Sequence, residues 1–176
     1  FPVSSEHKTG ISLLIEEILR RVGDSPPDQQ EEEIRVAIIG RPNVGKSSLL
    51  NCFLGKERAI VTELPGTTRD AVDSVVKFEE QVFRLIDTAG IRQKGKTGEK
   101  LEKLSVIMAR KSIERADVAL LVVDATEGPT RLDATVGGYA HQAGKSIILI
   151  VNKWDLIDRD SHTAVHMEKE FRERLR

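Results

Sequence analysis

Apolar residues recur along this chain at two different periods, and the change of period marks out its elements. Ile11, Leu14, Ile15, Ile18 and Val22 are spaced three and four apart, which predicts an amphipathic helix over 11–22. Residues 23–33 (GDSPPDQQEEE) carry two prolines, a run of acids and no large apolar side chain, the composition of a flexible linker. Short apolar runs rich in β-branched residues then predict buried strands at 35–39, 118–123 and 147–151. Two further strand-like runs, 71–79 and 81–86, flank a short acidic turn and predict a hairpin. Helical spacing predicts helices over 46–54, 101–115, 133–143 and 161–175. Strands alternating with helices imply the doubly wound α/β class, a mostly parallel sheet with helices on both faces.

Composition changes this picture little. A chain of 176 residues is long enough to bury one proper core, and a net charge of −1 gives no whole-chain case for nucleic acid or membrane binding. No apolar run approaches the roughly 18 residues that span a bilayer, and the charges of the first 20 residues exclude a signal peptide, so a cytoplasmic protein is expected. The chain opens at Phe1 without a methionine, as a piece of a longer polypeptide would. The single cysteine, Cys52, reads as a small buried apolar residue, and the four histidines read as surface residues without metal spacing.

Candidate chemistry lies at the ends of the predicted strands. Residues 40–47 (GRPNVGKS) fit G-x-x-x-x-G-K-[ST] between a strand and a helix, the context that a phosphate loop requires. Gly40, Arg41, Pro42, Asn43, Val44 and Gly45 would curl the backbone so that its N–H groups converge on phosphate oxygens at a helix N-terminus. Lys46 would place its charge at the β- and γ-phosphates, and Ser47 would offer a hydroxyl to Mg²⁺. Residues 87–90 (DTAG) close the strand 82–86: Asp87 can reach Mg²⁺, Thr88 and Ala89 follow it, and Gly90 lets its amide approach the γ-phosphate. Residues 152–155 (NKWD) follow the strand 147–151. The Asp155 carboxylate can accept from N1–H and the exocyclic amine of guanine, and adenine has neither donor there. Asn152 and the stem of Lys153 would brace that loop and cover the ring, while Trp154 packs or lies over the surface. Residues 66–70 (GTTRD) stand in a loop, 59–70, where a threonine can coordinate Mg²⁺.

In this order the motifs resemble the translation-factor-related GTPases, and the PNVGKS and PGTTRD forms narrow the likeness to the Era/TrmE/Der branch. Residues 87–128 (DTAGIRQKGKTGEKLEKLSVIMARKSIERADVALLVVDATEG) are most similar to the second of two tandem G domains in the Der (EngA) family. The resemblance implies a GTP-hydrolysing switch that binds GTP or GDP with Mg²⁺ and assists assembly of the large ribosomal subunit and its rRNA. It also implies a C-terminal KH-like domain, Thr68 as the Mg²⁺ ligand and Thr67 as a backbone contact. The alternative is a nucleotide-gated RNA- or ribosome-binding module with little turnover of its own. In potassium-activated members of the branch the phosphate-loop asparagine helps hold K⁺; Asn43 stands there, and otherwise caps a turn. Ile91 replaces the water-orienting glutamine of Ras-like proteins. Pro129 and the run 131–133 (RLD) depart from the family pattern and are expected at a surface helix start. Arg92, Lys94, Lys96, Lys100 and Lys103 read either as a solvated face or as an RNA-facing switch.

Residues 1–22 resemble the strand, S-A-x-H-G-like motif and helix that close a preceding G domain. On that reading 23–33 is the linker and 34–176 a G domain that stops short of its own closing guanine-contact motif. Residues 1–22 are then either a detached or disordered remnant or packed on the 34–176 body of their own or a neighbouring molecule, with Ser4 and Ser5 near the base.

Overall fold

The computed structural model describes residues 1–4, 7, 9–22, 33–55, 60–65, 72–78, 80–88, 91, 99–158, 160 and 162–174, with backbone alone at 22, 60–65, 72 and 99–104. Its elements are α1 (Ile11–Val22), β1 (Ile34–Ile39), α2 (Lys46–Leu54), β2 (Ile60–Pro65), β3 (Val72–Phe78), β4 (Gln81–Ile86), α3 (Glu99–Arg115), β5 (Val118–Asp124), α4 (Arg131–Gln142), β6 (Ser146–Asn152) and α5 (Thr163–Arg174).

Six strands form one sheet in the order β2-β3-β4-β1-β5-β6. Strands β4, β1, β5 and β6 run parallel, and β2 and β3 run antiparallel at one edge. The fold is therefore the mostly parallel α/β sheet that the pattern predicts. Its central strand β5 is buried at every position, which is why its sequence is a continuous apolar run rather than an alternation. Strand parity splits the core in two. Val36, Ile38, Leu120, Val122 and Ile148 face α1 and α2, and Ala37, Ile39, Leu121 and Val123 face α3, α4 and α5. Cys52 is buried in the first of these cores, and His7, His141, His162 and His166 are exposed.

The sequence reading treats 59–70 as loop, and the structure corrects this. Strand β2 occupies Ile60–Pro65 and pairs antiparallel with β3, from Ile60 opposite Lys77 to Pro65 opposite Val72. The run IVTELP is short and ends in proline, so its strand state depends on the β3 ladder, with Pro65 at the sheet edge, where a missing N–H is tolerated.

Residues 1–3 lie against the other edge. Val3 N–H donates to Val151 O at 3.1 Å, Val151 N–H donates to Phe1 O at 2.8 Å, and Pro2 makes a parallel bridge with Val151. The chain then doubles back. Ser4 bridges Thr9, and Gly10, at φ 77°, lies so near Pro2 that a Cβ there would stand 2.5 Å from its carbonyl oxygen. Helix α1 follows with Ile11, Leu14, Ile15 and Ile18 buried, while Leu13 between them points outward at 62 % exposure. This is the helical stripe read from the sequence, and it covers the face formed by Val36, Leu120 and Ile148. An apolar hollow remains beneath it, lined by Ile15, Ile18, Val36, Phe53, Val76 and Leu120 among others.

Candidate functional site

The loop 40–47 connects β1 to α2 at the carboxyl end of the parallel strands, where ligands of such sheets bind. Two glycines are required there by space and by dihedral angle. Gly40 has φ 143° and a Cβ would lie 2.3 Å from Val122 O; Gly45 has φ 98° and a Cβ would lie 2.0 Å from Asn152 Nδ2. Asn43 is also left-handed, at φ 65°. Gly45 caps α2 without a side-chain hydrogen bond, which leaves the first amides of the helix without a cap from that residue.

Lys46 folds back over this loop, its Nζ donating to Gly40 O at 2.9 Å and to Arg41 O. Burial pushes its pKa down from 10.5 to about 8; Asp133 opposes that shift, and Arg41 adds to it. Ser47 Oγ donates to Ile91 O at 2.5 Å, which joins the phosphate loop to the segment after DTAG. The Ile91 side chain packs against the first core.

Arg41 is held from the side. Its Nε donates to both Asp133 carboxylate oxygens at 3.0 and 3.1 Å, and its Nη1 donates to Glu127 at 2.8 Å. Asp133 has no exposed surface and also forms a capping box with Thr130 at the start of α4. Pro129 is buried as well. The expectation that 129–133 lies at a surface helix start is therefore wrong at these two residues: Asp133 turns inward to meet Arg41, and the Pro129 carbonyl accepts from Arg174 Nη1 of α5 at 3.0 Å.

The Asp87 turn has φ 56°, and its N–H donates to Asp73 Oδ1 at 2.9 Å. Asp73 is buried on β3 and also accepts from Arg115 Nη2 at 2.5 Å. Thr88 is buried, its Oγ1 sharing a hydrogen bond with Ser74 Oγ at 3.0 Å. Ala89, Gly90, Thr67, Thr68, the rest of 66–70, and Arg92, Lys94 and Lys96 lie outside the described residues, as do the side chains of Lys100 and Lys103.

On the base side, buried Asn152 donates from Nδ2 to Val44 O at 2.9 Å, locking residue 152 directly onto the phosphate loop. Lys153 takes a left-handed φ of 59°, and its Nζ pairs with Asp124. Trp154 opens a single 3-10 turn and packs against the second core. Asp155 follows, half-buried, with His7 Nε2 3.8 Å from its carboxylate. The structure thus brings 40–47, Ile91 and 152–155 together. It adds Asp73, Asp124 and Asp133, none of which the sequence reading assigns to the site. Only Asp133 left a readable signal, the T-x-x-D of a capping box. Among the described residues no three or more of His, Cys, Asp and Glu cluster as a metal cage.

This sheet, with a phosphate loop after its first strand and an N-K-x-D loop pressed against it, defines the Ras-like P-loop G-domain class. The chain belongs to the family described as 50S ribosome-binding GTPases, whose match spans residues 35–153. Among its relatives, GTPase Der of Caldanaerobacter subterraneus subsp. tengcongensis is 48% identical over 174 residues, covering 99% of this chain and 40% of that protein. GTPase Der of Staphylococcus carnosus is 48% identical over 174 residues, covering 98% and 40%. The chain thus spans about 40% of the length of these curated relatives, and the Der likeness read from its motifs extends over nearly all of it. The solved structure of Era in complex with MgGDPNP and nucleotides 1506–1542 of 16S ribosomal RNA has a TM-score of 0.59 and is 33% identical, covering 82% of this chain and 48% of Era. A single-residue variant of Aquifex aeolicus Era bound to GDP.AlF4- gives 0.58 and 34%, covering 81% and 48%. No helix among the described residues is long and apolar enough to cross a membrane.

Proposed function

We propose that this chain binds GTP and GDP and hydrolyses GTP to GDP and phosphate as a conformational switch. The hydrogen bond from Asn152 to Val44 O carries the reading, because it joins a guanine-reading loop to a phosphate loop at a fixed distance. Gly40 to Gly45 would present backbone amides to the phosphates, Lys46 would leave its carbonyl partners for them, and Asp155 would read the guanine edge. Mg²⁺ would be held by Ser47, Thr68 and Asp87, a hydroxyl and carboxylate donor set that suits a hard cation, and would neutralise charge on the phosphates. Gly90 would meet the γ-phosphate. Ile91 offers no side-chain donor or acceptor for the attacking water, so unassisted turnover is slow, on the order of 10⁻⁴ s⁻¹.

Titration of the chain with GDP, GTP, ATP and XDP tests the base assignment. Asp155→Asn should shift preference from GDP to XDP, since the xanthine C2 carbonyl accepts from the new amide; an Asp155→Asn chain that binds GDP as tightly as the parent refutes it.

A role in large-subunit assembly is supported by the family description and by the Der and Era likenesses. A KH-like domain would belong to the part of the relatives that this chain does not span. Phosphate release measured with and without 50S subunits separates a self-sufficient hydrolase from a nucleotide-gated binding module, which would turn over only with its partner.

Residues 1–22 read as the tail of a preceding G domain that here closes the sheet edge at β6 and covers one face. Leu14→Asp places a charge in the buried stripe and should lower both the melting temperature and GDP affinity, whereas Leu13→Asp, on the outer side, should change neither. Equal behaviour of the two variants would show that the helix is not seated.

A further inference from the structure

Asp124 ends β5 directly opposite Asn152 of β6, one residue before Lys153. It is buried at 1 % exposure, and its two oxygens have separate duties. Oδ1 accepts from Thr126 N–H at 2.9 Å and Thr126 Oγ1 at 2.7 Å, and Oδ2 takes the Lys153 ammonium. Burial works against the ionised form, yet the hydrogen bonds from Lys153 and Thr126 outweigh it and hold the carboxyl below the usual range. Ala125 N–H donates to Asn152 O at 2.9 Å, so the turn after β5 and the start of the base-side loop are one hydrogen-bonded unit.

Lys153 sits between two fixed points. Behind it Asn152 is tied to Val44 O, and at its far end the ammonium is tied to Asp124. A lysine stem is among the side chains richest in rotamers, and anchoring its tip removes most of that freedom before any ligand arrives. We propose that Asp124 is a positioning residue for base recognition: its carboxylate anchors Lys153 so that the aliphatic stem is pre-set as one wall of the purine slot. This rests on the guanine-nucleotide reading given above. The charge of Lys153 is then spent on the protein, and its methylenes are what face the base.

The test is a double-mutant cycle on the full chain, with fluorescent N-methylanthraniloyl-GDP as the probe and Asp124→Asn, Lys153→Met and the pair as variants. Lys153→Met keeps a flexible apolar stem and removes the anchor. Each single variant should bind the probe roughly tenfold more weakly, the scale of one lost charged hydrogen bond. The pair should lose no more than the worse single, because both changes break the same contact. Each single leaves one member of a pair without its partner, so melting temperature should fall in both and recover in the pair. Probe affinity of Asp124→Asn within twofold of the parent overturns the proposal. Additive losses, roughly a hundredfold in the pair, also overturn it, since Asp124 would then act through the 124–128 turn and not through Lys153. Failure of the parent to bind the probe is a different result, and it removes the nucleotide reading itself.

Discussion

Raising the pH from 7 to 8.5 should weaken nucleotide binding through Lys46 alone. Burial lowers the Lys46 pKa from 10.5 to about 8. Beside phosphate oxygens the ammonium is favoured again, so the bound form holds its proton across this range. With a free-state pKa near 8, the charged fraction falls from about 0.9 at pH 7 to about 0.24 at pH 8.5, which is about a fourfold loss of affinity or ~0.8 kcal/mol. Folding stability measured without added nucleotide should carry the opposite sign. A lysine whose folded pKa lies below its unfolded one penalises folding fully below pH 8, and the penalty lifts as pH rises from 8 towards 10.5. Stability of the free chain should therefore rise by about the same ~0.8 kcal/mol over the interval in which affinity falls.

Calorimetric titration with GDP in two buffers of different ionisation enthalpy measures both the affinity and the protons taken up on binding. Uptake should be near zero at pH 7 and about 0.75 proton per site at pH 8.5. Replacing Lys46 by arginine, which stays charged throughout, should flatten the profile whatever it does to affinity. Constant affinity from pH 7 to 8.5 without proton uptake would show that the Lys46 ammonium is not the group meeting the phosphates.

If Asn43 helps to hold a monovalent cation, phosphate release should be faster in KCl than in NaCl at equal ionic strength; equal rates remove Asn43 from the mechanism. Gly45→Ala should abolish nucleotide binding, because a Cβ there would stand 2.0 Å from Asn152 Nδ2 at a φ of 98°, and any retained GDP binding shows that the loop can reorganise. Asp133→Asn weakens the Arg41 anchor and the α4 capping box together, and a destabilisation of about 3 kcal/mol in urea unfolding is expected; a change below about 1 kcal/mol would mean that Arg41 finds another partner.

What was legible in the sequence follows from how local each signal is. The phosphate loop, DTAG and NKWD each follow a buried strand whose apolar run ends at the motif, so strand and loop are read together. The stripe of α1 was legible for the same reason, since helical spacing needs no partner to be seen. Strand β2 was not, because an edge strand owes its state to the neighbour it pairs with. Nor were Asp73 and Asp124, whose partners Arg115 and Lys153 lie 42 and 29 residues away. An isolated carboxylate in an apolar run has no reading until its cation is known. Asp133 showed half of its role: the capping box is local, and the Arg41 contact spans 92 residues.

These three carboxylates bear on polyanion binding. Asp73, Asp124 and Asp133 are each at most 2 % exposed and stand near loops proposed to hold phosphates, where buried negative charge would repel the ligand. Each is answered by a cation from a different element: Arg115 for Asp73, Lys153 for Asp124, Arg41 for Asp133. Paired in this way they add little net charge to the site. What each adds is an anchor that ties one candidate loop to scaffold outside it: the Asp87 turn to β3, Lys153 to β5, and the phosphate loop to α4. Lys46 differs, since its ammonium rests on two backbone carbonyls and on no carboxylate among the contacts described. A lysine resting on backbone carbonyls has no carboxylate partner that an incoming anion must displace, and its lowered pKa registers the cost of burying that charge.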